Sequence, residues 1–200
     1  MINVNSIPKR VVFHGNSLFH LRQGNVFNGF AVSTLVRPQL TGVVVQDYSY
    51  QGKTSAQLLA EFPTVVQPYV NKGDVIVFWD GRNSMANNIG NLSPANALID
   101  AKAYCANAIS LGLKVITLTC IPTNTTYVTD ANRLSFNSAM LADTSFCNAV
   151  VDPCTLTQFD SVADLSNATY YNADQIHLTT AGYTLIANLL APTIQSVANS

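Results

Sequence analysis

Apolar residues along the chain follow two rhythms. Short, nearly unbroken apolar runs occur at Arg10–His14 (RVVFH), Gly42–Tyr48 (GVVVQDY), Asp74–Trp79 (DVIVFW), Lys114–Thr119 (KVITLT) and Ala149–Asp152. Runs of this length and composition predict strands covered on both faces. Between them, apolar positions recur at helical spacing. Gly24–Leu35 carries Phe27, Phe30, Ala31 and Leu35, with Pro38 just beyond. Thr54–Phe62 has Thr54 as a candidate N-cap. Pro94–Leu111 follows Ser93 and ends at Gly112, while Asp130–Phe146 and Thr180–Val197 complete the set. Strands alternating with helices predict an α/β fold, a parallel sheet with helices on both faces. The strand–helix units use nearly the whole length and show no repeat or linker. Residues 1–200 therefore read as one domain without a lid domain.

Composition narrows the function. The 200 residues are 48% hydrophobic, which suits a packed core, and carry a net charge of −1. With no basic field to gather phosphates, nucleic acid is not an expected partner. Only 10% of residues are charged, against roughly 25% in average soluble domains. That balance fits a protein working outside a cell or on the surface of a larger particle such as a virion. No apolar stretch approaches the roughly 18–20 residues of a membrane span. A first strand expected near Arg10 leaves no room for a signal peptide ahead of it, so the expectation is either a trimmed signal or a protein not exported by that route. Cys105, Cys120, Cys147 and Cys154 form no C-x-x-C pair, and His14, His20 and His177 lack metal-ligand spacing, so neither a metal nor another cofactor is expected. Cys147 and Cys154 flank the last strand and are open to two readings, a bridge or free thiols. Asn91, Asn124 and Asn167 match glycosylation acceptors, a pattern that carries little weight without a secretion signal.

In open parallel sheets, ligands sit beyond the carboxyl ends of the strands. That rule selects three loops, Gly15–Phe19, Tyr48–Thr54 and Asp80–Asn88. Ser17 lies in the first of them, just past a buried strand. A serine hydroxyl needs a base within hydrogen-bond reach to act as a nucleophile. His177 is the candidate base. Asp174, three residues earlier, can take its Nδ1 proton and leave Nε2 for the serine. His14 and His20 compete for the role, but His14 falls inside the first strand and His20 has no acid nearby in sequence. Gly52 in the second loop can bring a backbone N–H close to a substrate, and the side-chain amide of Asn83 in the third can donate to the same oxygen. Arg82, beside Asn83, reads either as a solvent-facing arginine or as a contact to an acidic sugar.

Together these blocks resemble the SGNH/GDSL hydrolase family. They fall in family order: Val11 to Leu18 (VVFHGNSL), Gly52-Lys53-Thr54, Gly81-Arg82-Asn83-Ser84, and Asp174-Gln175-Ile176-His177 followed by Leu178, Thr179 and Gly182-Tyr183. The resemblance implies a three-layer, flavodoxin-like α/β/α fold with five parallel strands in the order 2-1-3-4-5. It implies Ser17 as nucleophile, His177 as base and Asp174 as its orienter. The oxyanion donors would be the Ser17 N–H, the Gly52 N–H and the Asn83 amide. Two positions depart from the pattern: Asn16 stands where the family usually has aspartate before the serine, and Ser84 where it usually has aspartate after the asparagine. Both are expected to support the loops rather than react. An α/β-hydrolase elbow fits less well, since Phe19 replaces its second glycine. A phosphate-cradling loop lacks the further glycines and lysine it needs.

The resulting expectation is a serine esterase acting on small acyl groups, in particular O-acetyl groups on carbohydrate. A lipase or thioesterase taking longer chains is the first alternative. A non-catalytic carbohydrate-binding or structural module that keeps the fold is the second, and Asn16 and Ser84 are the residues that favour it.

Overall fold

The computed structural model describes residues 9–19 and 32–200, with the backbone of residues 22–23 and 26–27. In chain order the elements are β1 (Lys9–Gly15), β2 (Arg22–Gln23), β3 (Val26–Phe27), α1 (Val32–Val36), β4 (Val43–Asp47), α2 (Ser55–Val65), β5 (Val75–Trp79), α3 (Arg82–Met85), α4 (Pro94–Ser110), β6 (Lys114–Leu118), α5 (Asp130–Ala142), β7 (Ala149–Val151) and α6 (Thr180–Asn199). Five strands form one parallel sheet in the order β4-β1-β5-β6-β7. Counted by sheet strand alone this is 2-1-3-4-5, the expected order.

Side chains alternate across a strand, and here that alternation divides the core. Val11, Phe13, Val75, Val77 and Trp79 join α1 and α6, through residues such as Val36, Ile186 and Leu190. Val12, Ile76 and Phe78 join α2 and α4 on the other face, through Leu58, Phe62, Ala101 and Tyr104. A third cluster packs α5 against α3 and α4 through Met85, Ala97, Phe136 and Met140. Burying each large apolar side chain contributes roughly 1.5–3 kcal/mol, so both faces of the sheet have to be covered. Register then places the loops. His14 aligns with Phe78 and Gly15 with Trp79, so Asn16–Ser17 and Asp80–Asn83 leave the sheet side by side. Tyr50 N–H donates to the Gly15 carbonyl (2.9 Å), which draws the loop after β4 to the same edge.

Several expected boundaries differ. Val26–Phe27 pairs antiparallel with Arg22–Gln23, whereas a helix was expected from Gly24. Among the described residues the helix starts only at Val32, and the rest of that expected span lies outside them. Helix α2 runs through Pro63 to Val65, not stopping at Phe62. Phe62 and Val66 are both fully buried, so packing continues past the hydrogen bond that proline removes. Helix α5 stops at Ala142, short of Phe146, because Asp143 turns extended and its carboxylate accepts from the Ser145 N–H and hydroxyl. Residues 153–178 contain two 3-10 turns, Pro153–Thr155 and Val162–Ser166, where no element was expected. All four cysteines are free thiols, which answers the question of a Cys147–Cys154 bridge. Among the described residues, no helix is long and apolar enough to cross a membrane.

Candidate active site

The loop after β1 presents Ser17. Asn16 is buried, and its Oδ1 accepts from the Leu18 N–H (2.9 Å) in a local turn. The adjacent hydroxyl of Ser17 is half-buried and lies 2.9 Å from His177 Nε2. His177 comes from the loop before α6. That loop closes on itself: the Asn172 N–H donates to the His177 carbonyl (2.9 Å), and Gln175 takes a left-handed φ of 56°. Asp174 Oδ2 sits 2.7 Å from His177 Nδ1, and its Oδ1 accepts the N–H groups of Ile176 and His177, both at 3.0 Å. Partial burial works against charge on Asp174, but these hydrogen bonds and the imidazole outweigh it and hold the carboxyl below its ordinary value. An ionised Asp174 fixes the Nδ1–H tautomer and leaves Nε2 to accept the Ser17 proton.

The two remaining loops complete a cavity of about 410 Å³ lined by Ser17, Gln51, Gly52, Arg82, Asn83, Ile89 and His177. Gly52 needs its φ of +71°, a conformation that side chains other than glycine resist. At Gly81, with φ +128°, a Cβ would also fall 2.6 Å from Phe136 and 2.8 Å from the Cys120 sulfur. That tight point turns the chain directly into α3, a single helical turn in a segment expected to be loop. Asn83 is buried there with its amide orientation set at both ends. Its Oδ1 accepts from Arg82 Nη1 (2.8 Å), and its Nδ2 donates to the Lys53 carbonyl (3.0 Å). An amide nitrogen carries two hydrogens, so one remains for a ligand.

Sequence reasoning missed Asp80. Its buried carboxylate joins all three loops. Oδ1 accepts from Asn16 Nδ2 (2.9 Å) and the Asn83 N–H (3.3 Å); Oδ2 accepts from the Ser55 N–H and hydroxyl (both 2.7 Å) and the Ser84 hydroxyl (2.6 Å). The two departures from the family pattern thus become donors to one shared acceptor. A signal was present: Asp80 is a charged residue directly abutting the apolar run of β5, where its side chain would be buried. Of the competing bases, His14 is fully buried against Tyr104 and Glu61, away from Ser17, and His20 lies outside the described residues.

The structure brings Ser17, His177, Gly52, Asn83 and Arg82 to one cavity, with Asp174 directly behind His177. The fold is that of the GDSL-like lipases and acylhydrolases. A lipase/acylhydrolase from Enterococcus faecalis matches with a TM-score of 0.74 at 17% identity, over 94% of this chain and 96% of that one. An acetylxylan esterase from Geobacillus stearothermophilus matches at 0.70 and 14% identity, over 93% and 94%. A GDSL-like lipase from Bacteroides thetaiotaomicron matches at 0.64 and 19% identity, over 94% and 89%. At these identities the likeness is one of fold. No protein-family model matches the chain, and no curated protein matches it in sequence.

Proposed function

We propose that the protein is a serine esterase of the SGNH/GDSL type, hydrolysing carboxylic esters of small acyl groups such as O-acetyl groups on carbohydrate. The observation that carries this reading is the hydrogen-bonded row Ser17–His177–Asp174, with contacts of 2.9 and 2.7 Å, opening on a cavity. Proteins of the same fold, a lipase/acylhydrolase and an acetylxylan esterase, support it.

The chemistry follows from the contacts. Ser17 Oγ attacks the ester carbonyl carbon while His177 Nε2 takes its proton. Asp174 keeps the imidazolium oriented and offsets its charge. The N–H groups of Ser17 and Gly52 and the second amide hydrogen of Asn83 hold the oxyanion. As the tetrahedral adduct collapses, the proton on Nε2 passes to the departing alcohol and the acyl group stays on Ser17. A water then gives its proton to Nε2 and attacks the acyl-enzyme, releasing the acid and restoring the serine hydroxyl. Short acyl groups suit the cavity wall, where among the described lining residues Ile89 is the one aliphatic side chain. A long chain would leave most of its apolar surface in water.

A fluorophosphonate probe tests the assignment. We expect labelling at Ser17, together with hydrolysis of an activated acetyl ester that disappears in Ser17→Ala. Labelling of a different serine, or acetyl ester turnover that survives Ser17→Ala, would remove Ser17 as nucleophile. A folded protein without any turnover would favour the binding-module alternative.

A further inference from the structure

Arg82 is only 8% exposed, yet it lines the cavity that holds Ser17 and His177. Guanidinium groups buried this far normally rest against a carboxylate. Among the described residues none forms an ion pair with Arg82. Two acids reach it with their fields, Asp80 and Asp174, as do the ionisable groups of Cys120 and Tyr127. Both acids have other partners: Asp80 serves Asn16, Ser55, Asn83 and Ser84, and Asp174 serves His177. Arg82 itself makes two hydrogen bonds, Nη1 to Asn83 Oδ1 at 2.8 Å and a long one from Nε to Thr123 Oγ1 at 3.4 Å. The Tyr127 ring lies 5.7 Å from Cζ and covers the group without neutralising it. A guanidinium has five N–H donors in a planar fork. Most of that fork is therefore uncommitted, on a desolvated cation that lines the same cavity as Ser17.

We infer that Arg82 binds an anionic group carried by the ester substrate, so that the preferred substrates are acidic esters rather than neutral ones. The inference rests on the esterase reading above and adds the charge class of the substrate to it. A carboxylate fits a guanidinium fork through two parallel hydrogen bonds. With a net charge of −1, the protein has no long-range field to collect anions. The attraction is local and should lower KM rather than steer encounter. A partly buried pair is also weakly screened, so the preference should persist at high ionic strength.

Three matched esters provide the test. One is an acetylated neutral sugar, the second the corresponding uronic acid, and the third the neutral sugar esterified with succinate. The second and third place the charge on the alcohol and on the acyl side respectively. The wild type should favour one of the acidic esters through KM, by on the order of tenfold to a hundredfold in kcat/KM. Arg82→Gln should erase that preference and Arg82→Lys should keep part of it. Because Arg82 also holds Asn83, a purely structural arginine would lower all three esters by one common factor in Arg82→Gln, and that result would overturn the inference. So would equal kcat/KM for all three in the wild type, a measurement that needs no variant to fold. Inhibition gives a second readout: the free uronic acid should compete with an activated neutral acetate where the parent sugar does not, and equal inhibition by both counts against Arg82. Cleavage of the neutral acetate without charge preference defeats this inference alone, whereas no cleavage of any ester defeats the esterase reading beneath it.

Discussion

Asp80 accepts five hydrogen bonds from four residues on three loops, and none of them comes from a cation. Its value to the site is geometric: the serine loop, the first residue of α2 (Ser55) and the Asn83 turn are all held to one rigid acceptor. Asp80→Asn turns one oxygen into a donor, which then faces another donor, either Asn16 Nδ2 or a member of the Ser55–Ser84 set. A buried unsatisfied polar group costs about 1–3 kcal/mol, so the single variant should lose stability of that order and turnover with it. Adding Asn16→Asp restores a donor–acceptor pair across the same contact. The double variant should recover part of both, and the coupling is read from a double-mutant cycle of denaturant midpoints and kcat/KM. Strict additivity would mean that the contact does not organise the site. At this scale Ser17, Asp174, His177, Gly52 and Asn83 were legible in the sequence because each falls in a short segment at a strand end or before a helix. Asp80 was not, since its partners lie 64, 25, 3 and 4 residues away and only the fold brings the distant ones in.

At the scale of elements, His14 ties β1 to α2 and α4. Its ring is fully buried, shares a 2.7 Å hydrogen bond with the Tyr104 hydroxyl through Nδ1, and places Nε2 3.4 Å from Glu61, whose other oxygen pairs with Lys53 at 2.6 Å. Burial lowers its pKa from 6.5 to about 4; Glu61 pulls the other way and Lys53 adds to the lowering. The folded protein thus keeps His14 neutral where the unfolded chain protonates it. Stability from this group is complete above pH 6.5, declines as the pH falls to about 4 and is level below that. The loss across the window is about 3 kcal/mol. Thermal unfolding should show Tm dropping between those limits, and His14→Gln should flatten that part of the profile. A wild-type Tm unchanged across the window would place the proton elsewhere. The strands were readable because each is an apolar run covered on both faces, and the starts of α2 and α4 because Thr54 and Ser93 cap them with their side chains; Thr129 and Thr179 do the same for α5 and α6. Helix ends were less readable. Tertiary packing carries α2 past Pro63 and an aspartate turn stops α5 early, and neither outcome follows from local spacing.

For the whole molecule, sheet order decides that β1 and β5 are neighbours, and this brings the first and third loops together. The strand-edge rule anticipated that meeting from sequence. What it could not convey is how much of the surroundings is sealed. The thiols report on this. Burial raises all four: Cys105 and Cys120 far above the ordinary range, Cys147 to about 11 and Cys154 to about 12. At neutral pH even Cys147 would be thiolate in roughly one molecule in ten thousand. Iodoacetamide should therefore label the folded protein very slowly at every cysteine and label all four quickly after denaturation, with Tm unaffected by reductant. Rapid modification of Cys154 in the folded state would show that the wall formed by α5 and the Pro153–Thr155 turn is loose.

Descent with modification meets a barrier at Asp80. A lineage that acquires aspartate at position 16 while keeping Asp80 sets two carboxylates in contact, which cannot both be ionised. One that loses Asp80 first leaves the Asn16 amide without its acceptor and Ser55 and Ser84 with only each other. Either intermediate costs stability where the loops meet, so these positions are expected to change as a set. Among descendants of this chain, aspartate at 16 should be found with a neutral residue at 80, and the order in which the two changed should be hard to find preserved in any living sequence.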